Sequence, residues 1–297
     1  MHDSYQDMKI FDSHVHLFKV KVVENVISRA DLVRTLCLDI ENIEDRLKPS
    51  SLVEQLREAK VIGALLLPTS DVINLAKTNR ECIEKAEKTP GLYTAGSLHP
   101  DYDDLEGELL HLSRSSVRVI KLCSFSQKFS PSGLKAYRMF ERIQSFNGTL
   151  KIPFSIVMDT LTLADRYFGT DPDHTTTPGI LMDLASRFRG IKFIGAHMGG
   201  LGAPFELLER CLEPAPNLYL DTSNAAHTLM KDQFIQLLRR HGSGHVIFGT
   251  DWPWFLHRRE IELVDNYLEA AGFSRHEKQA VFSGNIENIL GIAQNGI

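Results

Sequence analysis

Two histidines one residue apart, His14 and His16, end the first apolar stretch of the chain, which reads Phe-Asp-Ser-His-Val-His. Because successive side chains of a β-strand alternate between its two faces, both imidazoles would lie on the same face. Neutral imidazole nitrogens bind a divalent ion such as Zn²⁺ at about 2.0–2.1 Å. Chance alone gives roughly half such a pair in a chain with this many histidines, so the position at a strand end carries the prediction of a metal site. The alternative is a pair of hydrogen-bonded histidines at the rim of the fold.

Asp251 ends the last apolar stretch, in the sequence Phe-Gly-Thr-Asp-Trp-Pro. A carboxylate beside a cation stays ionised and can accept a proton from a water that the metal activates. We therefore predict that Asp251 is both a metal ligand and the general base. Its alternative role is to stabilise a turn before Pro253.

His197 and Lys121 are the other candidate catalytic residues. His197, in Gly-Ala-His-Met-Gly-Gly, could donate a hydrogen bond to a developing oxyanion or to a polarised carbonyl; the alternative is a structural histidine. Lys121 lies within the apolar stretch Val-Ile-Lys-Leu, and burying an unpaired ammonium costs several kcal/mol. We expect Lys121 to form a salt bridge at the mouth of the fold, to be carboxylated into a metal bridge, or to donate to substrate.

These residues must be positioned by strands, and eight short apolar stretches predict them. Strands that are buried on both faces are nearly continuously apolar, as in parallel βα units. The stretches are residues 9–16, 61–67, 92–99, 117–123, 152–159, 191–197, 218–222 and 245–251. Helical patterns separate them, which predicts an α/β fold with a single (β/α)8 TIM-barrel domain over residues 1–297. The candidate residues then lie at the carboxyl ends of strands, where barrel enzymes place their active sites.

Residues 17–50 and 160–177, which follow the first and fifth predicted strands, are longer than ordinary βα connections. Both segments begin on the side of the barrel where active sites form. We expect them to fold over the mouth as lids or substrate-recognition segments. Four further residues at strand ends are expected to line the pocket: His99, Cys123, Asp221 and Trp252.

The composition argues against several classes of partner. The net charge is −5 and the basic residues are scattered, so we expect no nucleic-acid-binding patch and no membrane-binding segment. The first nine residues are polar, which argues against a secretory signal. Four cysteines without a CxxC pair are typical of reduced thiols. We therefore expect a cytoplasmic protein that acts on a small molecule.

Taken in order, the motifs resemble the metal-dependent hydrolases of the amidohydrolase superfamily. The resemblance is to the amidohydrolase-2 branch, which also contains the aminocarboxymuconate-semialdehyde decarboxylases, and it extends over nearly the whole chain. The motifs that carry it are Asp12-Ser-His-Val-His16, Gly96-Ser-Leu-His-Pro100, Val119-Ile-Lys-Leu122, Gly195-Ala-His-Met-Gly-Gly200, Leu220-Asp-Thr222, Phe248-Gly-Thr-Asp-Trp-Pro253 and Gly284-Asn285.

The resemblance implies one divalent metal ion held by His14, His16 and Asp251. Zinc is the first choice for this ion, and manganese is the alternative. The resemblance also implies that His197 orients the substrate or the attacking water, and the habit of the family suggests a homodimer.

The family's remaining ligand is a histidine on the fifth strand, and residues 152–160 contain none. Asp159 or Val157 stands in its place. Because a carboxylate is a competent ligand for zinc or manganese, we predict Asp159 as the replacement. If Val157 is the equivalent residue, the site lacks that ligand and resembles the metal-independent lactonases of the superfamily.

Together these residues predict a metal-dependent hydrolase of a small amide, ester or lactone, with water activated by the metal and Asp251 as the general base. Three alternatives stay open. They are a non-oxidative decarboxylase of a small unsaturated or aromatic acid, a metal-independent lactonase, and a barrel that binds a ligand without catalysis. The sequence does not select a substrate, because specificity in this architecture comes from the βα loops.

Overall fold

The computed structural model describes residues 7–292, and its strands lie inside the eight apolar stretches of the sequence. The third strand forms in two pieces, with a break at Ala95. In chain order the strands are β1 (Phe11–Val15), β2 (Gly63–Leu66), β3 (Leu92–Thr94 and Gly96–Ser97), β4 (Val119–Leu122), β5 (Ser155–Met158), β6 (Lys192–Gly195), β7 (Leu218–Asp221) and β8 (Val246–Ile247). The predicted α/β class and its strands are confirmed. Most of the polar stretch that argued against a secretory signal lies outside the described residues.

The strands pair in parallel and in chain order, from β1 to the first piece of β3 and from its second piece to β8. Across the break in β3, the Ala95 N–H donates to Leu66 O at 2.9 Å. Closure occurs where β1 meets β8 and the residues after it. There the Ser13 N–H donates to Phe248 O at 3.0 Å, and the His16 N–H donates to Trp252 O at 2.8 Å. The first and last strands are therefore neighbours, as a closed barrel requires.

Helices connect the strands, most of them on the outside of the barrel and some over its mouth. They are α1 (Val20–Ile27), α2 (Ala30–Thr35), α3 (Pro49–Glu58), α4 (Leu75–Lys88), α5 (Leu105–Arg114), α6 (Ser124–Gln127), α7 (Leu134–Asn147), α8 (Ala164–Phe168), α9 (Pro178–Arg187), α10 (Phe205–Cys211), α11 (Ala225–Thr228), α12 (Lys231–His241), α13 (His257–Ala270), α14 (Arg275–Gln279) and α15 (Asn285–Leu290). Among residues 7–292, no helix is both long enough and apolar enough to cross a bilayer.

Two apolar layers enclose the strands. One inward side chain from most strands contributes to the barrel interior, as Phe11, Leu65, Val119 and Ile247 do. The opposite faces of the strands pack against the helices in a larger outer cluster. Because strands in such a barrel are covered on both sides, their sequences are apolar at nearly every position.

A bulge in β1 decides which way the two histidines point. The pairing register of β1 with β2 shifts between Asp12 and Val15. Phe11 packs in the barrel interior, so strict alternation would also turn Val15 inward. Val15 packs in the outer layer instead, and its neighbours His14 and His16 turn toward the mouth. An extra residue in the strand therefore re-aims the side chains beyond it.

The two long segments after β1 and β5 fold over the mouth of the barrel, as predicted. The first contains α1, α2 and a 3₁₀ helix (Ile43–Leu47), and the second contains α8 and a 3₁₀ helix (Pro172–His174). With residues after β6 and β8 they form an apolar cluster separate from the barrel core: Val23, Leu32, Leu36, Leu38, Ile43, Leu161, Ala164, Leu201, Trp254 and Phe255. We call this cluster and the segments that carry it the cover.

Gly249 lies where the backbone after β8 passes closest to β1, and this contact yields a test of the closure. A Cβ added to Gly249 would lie 2.8 Å from the Cβ of His14. We expect Gly249→Ala to lower the free energy of unfolding by about 1–3 kcal/mol. The two residues belong to backbones that hydrogen bonds join at the closure, so neither can move away freely. Urea unfolding measures this change. Gly244→Ala is the control, since no heavy atom lies within 4 Å of its added Cβ. Equal stability of the two variants would contradict the tight approach at His14.

Candidate metal centre

Three potential ligand atoms converge at the mouth of the barrel, from β1 and the residues after β8. The Nε2 atoms of His14 and His16 lie 3.0 Å apart. Asp251 Oδ1 lies 3.7 Å from His14 Nε2 and 3.6 Å from His16 Nε2. All three side chains are buried. The structure therefore brings together the three residues that the resemblance assigns to the metal.

Hydrogen bonds on the far side of each ring determine its tautomer. His14 Nδ1 lies 2.9 Å from Asp221 Oδ2, and His16 Nδ1 lies 3.0 Å from Leu67 O. Since a carboxylate and a carbonyl oxygen only accept, each Nδ1 carries a proton and each Nε2 of the neutral ring carries a lone pair. Two nitrogen lone pairs and a carboxylate oxygen therefore face one another. This arrangement is repulsive unless a cation or a shared proton lies between them.

The distances between these atoms fit one divalent ion. Ligands that each lie about 2.1 Å from a tetrahedral ion are about 3.4 Å apart, and the separations here are 3.0, 3.6 and 3.7 Å. Metal-binding histidines usually donate their second ring N–H to a carboxylate or a carbonyl, as His14 and His16 do here. The donor set therefore suits zinc or manganese.

Burial favours the protonation state that binds a metal at His16. Burial, assisted by His14 and Lys121, lowers the pKa of His16 well below its ordinary value. The imidazole is therefore neutral at pH 7, which is the form that coordinates a cation. Burial also raises the pKa of Asp251, against the opposing effect of His197 and His14.

A second cluster of metal-ligand types lies behind His14. His14, His197 and Asp221 also place ligand atoms within 4.8 Å of one another. The Ser223 hydroxyl lies among them, 3.0 Å from His14 Nδ1 and 2.9 Å from His197 Nδ1, and it donates to Asp221 Oδ1. Because a protein hydroxyl fills the space, we interpret this cluster as a hydrogen-bonded support. We expected Asp221 only to line the pocket, but its Oδ2 accepts from the His14 ring. Its Oδ1 accepts from the backbone N–H of His197 at 2.9 Å.

Asp12 supports the centre from the outer side of β1. Its Oδ1 accepts from the His14 N–H at 2.9 Å and from the Thr250 N–H at 3.0 Å. Its Oδ2 lies 3.0 Å from His257 Nε2, and both side chains are fully buried. One carboxylate thus links the strand of His14 to the residue before Asp251. The sequence contained Asp12 in a motif but gave no signal for this role, because its partners are distant along the chain.

Asp159, the predicted replacement ligand, lies apart from the three converging atoms. Its Oδ2 lies 3.4 Å from Lys121 Nζ, and its Oδ1 accepts from the Leu161 N–H at 3.2 Å. Within the described residues it belongs to neither cluster of metal-ligand types. Burial alone would raise the pKa of Asp159, but Lys121 and His197 lower it to about 2. Of the three states expected for Lys121, the structure shows the salt bridge. Val157, the alternative position, packs in the barrel interior.

His197 follows β6 and begins a short 3₁₀ turn (His197–Gly199). Its Nδ1 lies 2.9 Å from Ser223 O, so this nitrogen donates and Nε2 is left for the cavity. The neutral ring can only accept through Nε2, whereas the imidazolium form can donate. Cys123 borders the same cavity, but burial and Asp159 raise the pKa of its thiol well above the ordinary value, which disfavours a thiolate nucleophile.

A cavity of about 610 Å³ adjoins the metal centre. Its polar floor contains His16, Asp159, His197 and Asp251. The walls are largely apolar: Phe18, Val22, Val26, Leu32, Leu36, Leu38, Phe125, Leu161, Phe168, Leu201 and Trp254. Three exposed lysines also border the cavity: Lys19, Lys21 and Lys128.

Besides Asp221, two further residues that were expected to line the pocket lie elsewhere. His99 is buried and its Nε2 donates to Gln127 O at 2.9 Å. Trp252 packs in the outer apolar layer, between the strands and the helices. Both follow strands as predicted, but their side chains point away from the mouth. The position of a residue at a strand end does not by itself determine the direction of its side chain.

The fold and the candidate ligands place the chain among the TIM-barrel proteins with a potential metal site of histidines and a carboxylate at the mouth of the barrel. The chain belongs to the amidohydrolase family, because the sequence profile of that family matches residues 12–292. A comparison with curated proteins gives no match.

Three solved structures illustrate the likeness of the fold. A putative 2-pyrone-4,6-dicarboxylic acid hydrolase from Pseudomonas putida is 18% identical, with a TM-score of 0.62 over 97% of this chain and 99% of that one. A dihydroxybenzoic acid decarboxylase from Polaromonas sp. JS666, with bound manganese and an inhibitor, is 15% identical, with a TM-score of 0.67 over 97% and 98%. An amidohydrolase from Burkholderia multivorans with bound zinc is 12% identical, with a TM-score of 0.69 over 95% and 99%. At these identities the likeness concerns the fold.

Asp221→Asn tests the support of the His14 ring, because it keeps the shape of the side chain and removes its charge. We expect the affinity for zinc to fall about 10–100-fold, the usual effect of losing such a supporting carboxylate. Competition with a colorimetric zinc chelator measures the affinity. Asp232→Asn, at an exposed position on α12, is the control and should bind zinc as the wild type does. If both variants bind zinc equally well, Asp221 does not support the metal.

Proposed function

We propose that the protein is a metal-dependent hydrolase that cleaves a small ester, lactone or amide. One observation carries the proposal: two imidazole lone pairs and the Asp251 carboxylate converge beside a cavity of about 610 Å³. The separations match those of ligands around one ion. The cavity has the size and the mostly apolar wall that are typical of small-molecule sites.

His14, His16 and Asp251 would hold the ion, with zinc as the first choice and manganese as the alternative. When bound, such an ion polarises a substrate oxygen and makes water beside it more acidic. The similarity in fold to a zinc-containing amidohydrolase and a manganese-containing decarboxylase supports this choice.

Asp251 is the proposed general base, since its carboxylate borders both the two imidazoles and the cavity. It would accept a proton from the attacking water while the water oxygen bonds to the carbonyl carbon. It would then return this proton to the leaving oxygen or nitrogen as the bond from that atom to the carbonyl carbon breaks. The carboxylate is regenerated, so the cycle closes without a further acid.

The other polar groups of the floor would orient the substrate. The imidazolium form of His197 could donate from Nε2 to the developing oxyanion. The Lys121 ammonium holds Asp159 in its ionised form and adds a positive charge beneath the cavity. The apolar walls exclude water, which strengthens these electrostatic interactions.

A second candidate function is the non-oxidative decarboxylation of a small unsaturated or aromatic acid. The likeness in fold to a dihydroxybenzoic acid decarboxylase supports it. The three exposed lysines beside the cavity support it too, since they would attract a carboxylate. In this reaction the bond between the ring or alkene carbon and the carboxylate carbon breaks, and CO₂ leaves. A proton from a side chain of the floor then bonds to the ring or alkene carbon.

The test uses protein that has been stripped of metal with a chelator and reloaded with Zn²⁺ or Mn²⁺. We expect hydrolysis of a panel of small lactones, aryl esters and anilides only after reloading. Asp251→Asn is expected to lower kcat/KM about 10²–10⁴-fold, the range of general acid–base catalysis. The exposed Asp183→Asn variant is the control and should keep the wild-type rate. Product chromatography gives the initial rates.

Each alternative function gives its own result in this test. Hydrolysis that persists in the stripped protein would indicate a metal-independent lactonase. Release of CO₂ from small unsaturated or aromatic acids, without hydrolysis, would indicate the decarboxylase. A reloaded protein that binds members of the panel and converts none of them would indicate a ligand-binding barrel.

A further inference from the structure

Asn224 lies in the wall of the cavity, three residues after the end of β7. Its side chain is fully buried. Neither the amide nitrogen nor the carbonyl oxygen of the side chain has a hydrogen-bond partner among residues 7–292. Burying a donor and an acceptor without partners opposes folding, so native proteins rarely do it without a functional reason.

Three other polar residues of the cavity each have a side-chain atom that is paired with the protein. His16 donates to Leu67 O and His197 donates to Ser223 O, and Asp159 pairs with Lys121. In the described part of the cavity wall, one further side chain has a buried polar atom without a partner, the hydroxyl of Thr170. Unlike Thr170, Asn224 has both an unpaired donor group and an unpaired acceptor.

The backbone explains the residue only in part. Asn224 has φ 56° and ψ −27°, a positive-φ conformation in which asparagine and glycine are favoured. Glycine would satisfy this backbone without burying an amide. The carboxamide itself therefore needs a separate explanation.

The position of Asn224 is beside the reacting end of the cavity. The preceding residue, Ser223, accepts from His197 through its carbonyl oxygen and contacts His14 through its hydroxyl. Asn224 and His197 border the same cavity, together with Leu201 and Trp254 of the cover. A substrate held at the metal centre would thus lie beside Asn224.

We propose that Asn224 is a specificity-determining residue that recognises a neutral substrate group with both a donor and an acceptor, such as a hydroxyl or a carboxamide. An amide N–H and an amide carbonyl together pair completely with such a group. A carboxylate would leave the Asn224 carbonyl unpaired, and an alkyl group would leave both atoms unpaired. The inference rests on the proposed function only in taking this cavity as the substrate site.

The test measures binding of matched ligands to the zinc-loaded protein. The ligands are methyl benzoates that carry a hydroxyl, a carboxamide or a methyl group at ring position 2, 3 or 4. Isothermal titration calorimetry gives each dissociation constant, and KM replaces it for any ester that is hydrolysed. We expect at least one polar ester to bind about tenfold more tightly than its methyl counterpart, because the methyl group leaves buried polar atoms unpaired.

Asn224→Gly removes the carboxamide while it retains the backbone preference, and it should abolish this discrimination. Asn42→Gly is the matched control, because Asn42 also has a positive φ of 51° but is exposed and outside the cavity wall. The control should discriminate as the wild type does. If the glycine variant does not fold, Asn224→Asp replaces it, because the aspartate side chain has nearly the same shape as that of asparagine. It should lose the preference for the carboxamide, since both of its oxygens accept.

The outcomes separate this inference from the proposed function. Preferential binding that is lost in Asn224→Gly supports the inference even if no ester is hydrolysed. Hydrolysis with the same discrimination in wild type and Asn224→Gly overturns the inference and leaves the hydrolase standing. A wild-type protein that binds no polar ester more tightly than its methyl counterpart also overturns it.

Discussion

The mutual repulsion of three acceptor atoms is the constraint on which this structure depends. His14 Nε2, His16 Nε2 and Asp251 Oδ1 face one another within 3.7 Å, and their side chains are buried. Water would solvate such groups if they were exposed, but burial removes most of that solvation. The interaction becomes favourable around a cation or a shared proton. The protein must therefore hold the three groups in place by contacts elsewhere, and those contacts explain much of the surrounding architecture.

The contacts that hold the centre are also those that close the barrel. The Asp251 N–H donates to His14 O at 2.9 Å, and the Asp12 carboxylate accepts from both His14 and Thr250. Gly249 permits the close approach of the two backbones at this point. The first and last strands thus meet at the residues that carry the ligands. Closing the barrel therefore also brings the three candidate ligands together, so the stability of the fold supports the geometry of the candidate site.

The floor and most of the walls of the cavity come from different parts of the molecule. The ends of the strands supply the polar floor, whose side chains are held by buried hydrogen bonds to one another and to the backbone. The cover supplies most of the apolar walls and has its own apolar cluster, separate from the barrel core. Differences in such loops are how one barrel architecture serves many substrates. Asn224 belongs to neither group of residues. It lies three residues after the end of β7 and forms part of the cavity wall.

The sequence by itself determined the strands, the barrel architecture and the three residues that converge at its mouth. Burial of strands on both faces makes them apolar along their length, so an ionisable residue at the end of such a stretch, as at His16 or Asp251, stands out. The tertiary structure alone decided the bulge that turns His14 inward, the pairing of Asp159 with Lys121 and the support from Asp12. These features depend on contacts between residues as far apart as the 238 positions between Asp12 and Thr250. Periodicity within one segment carries no information about such contacts, because they arise only when separate segments meet.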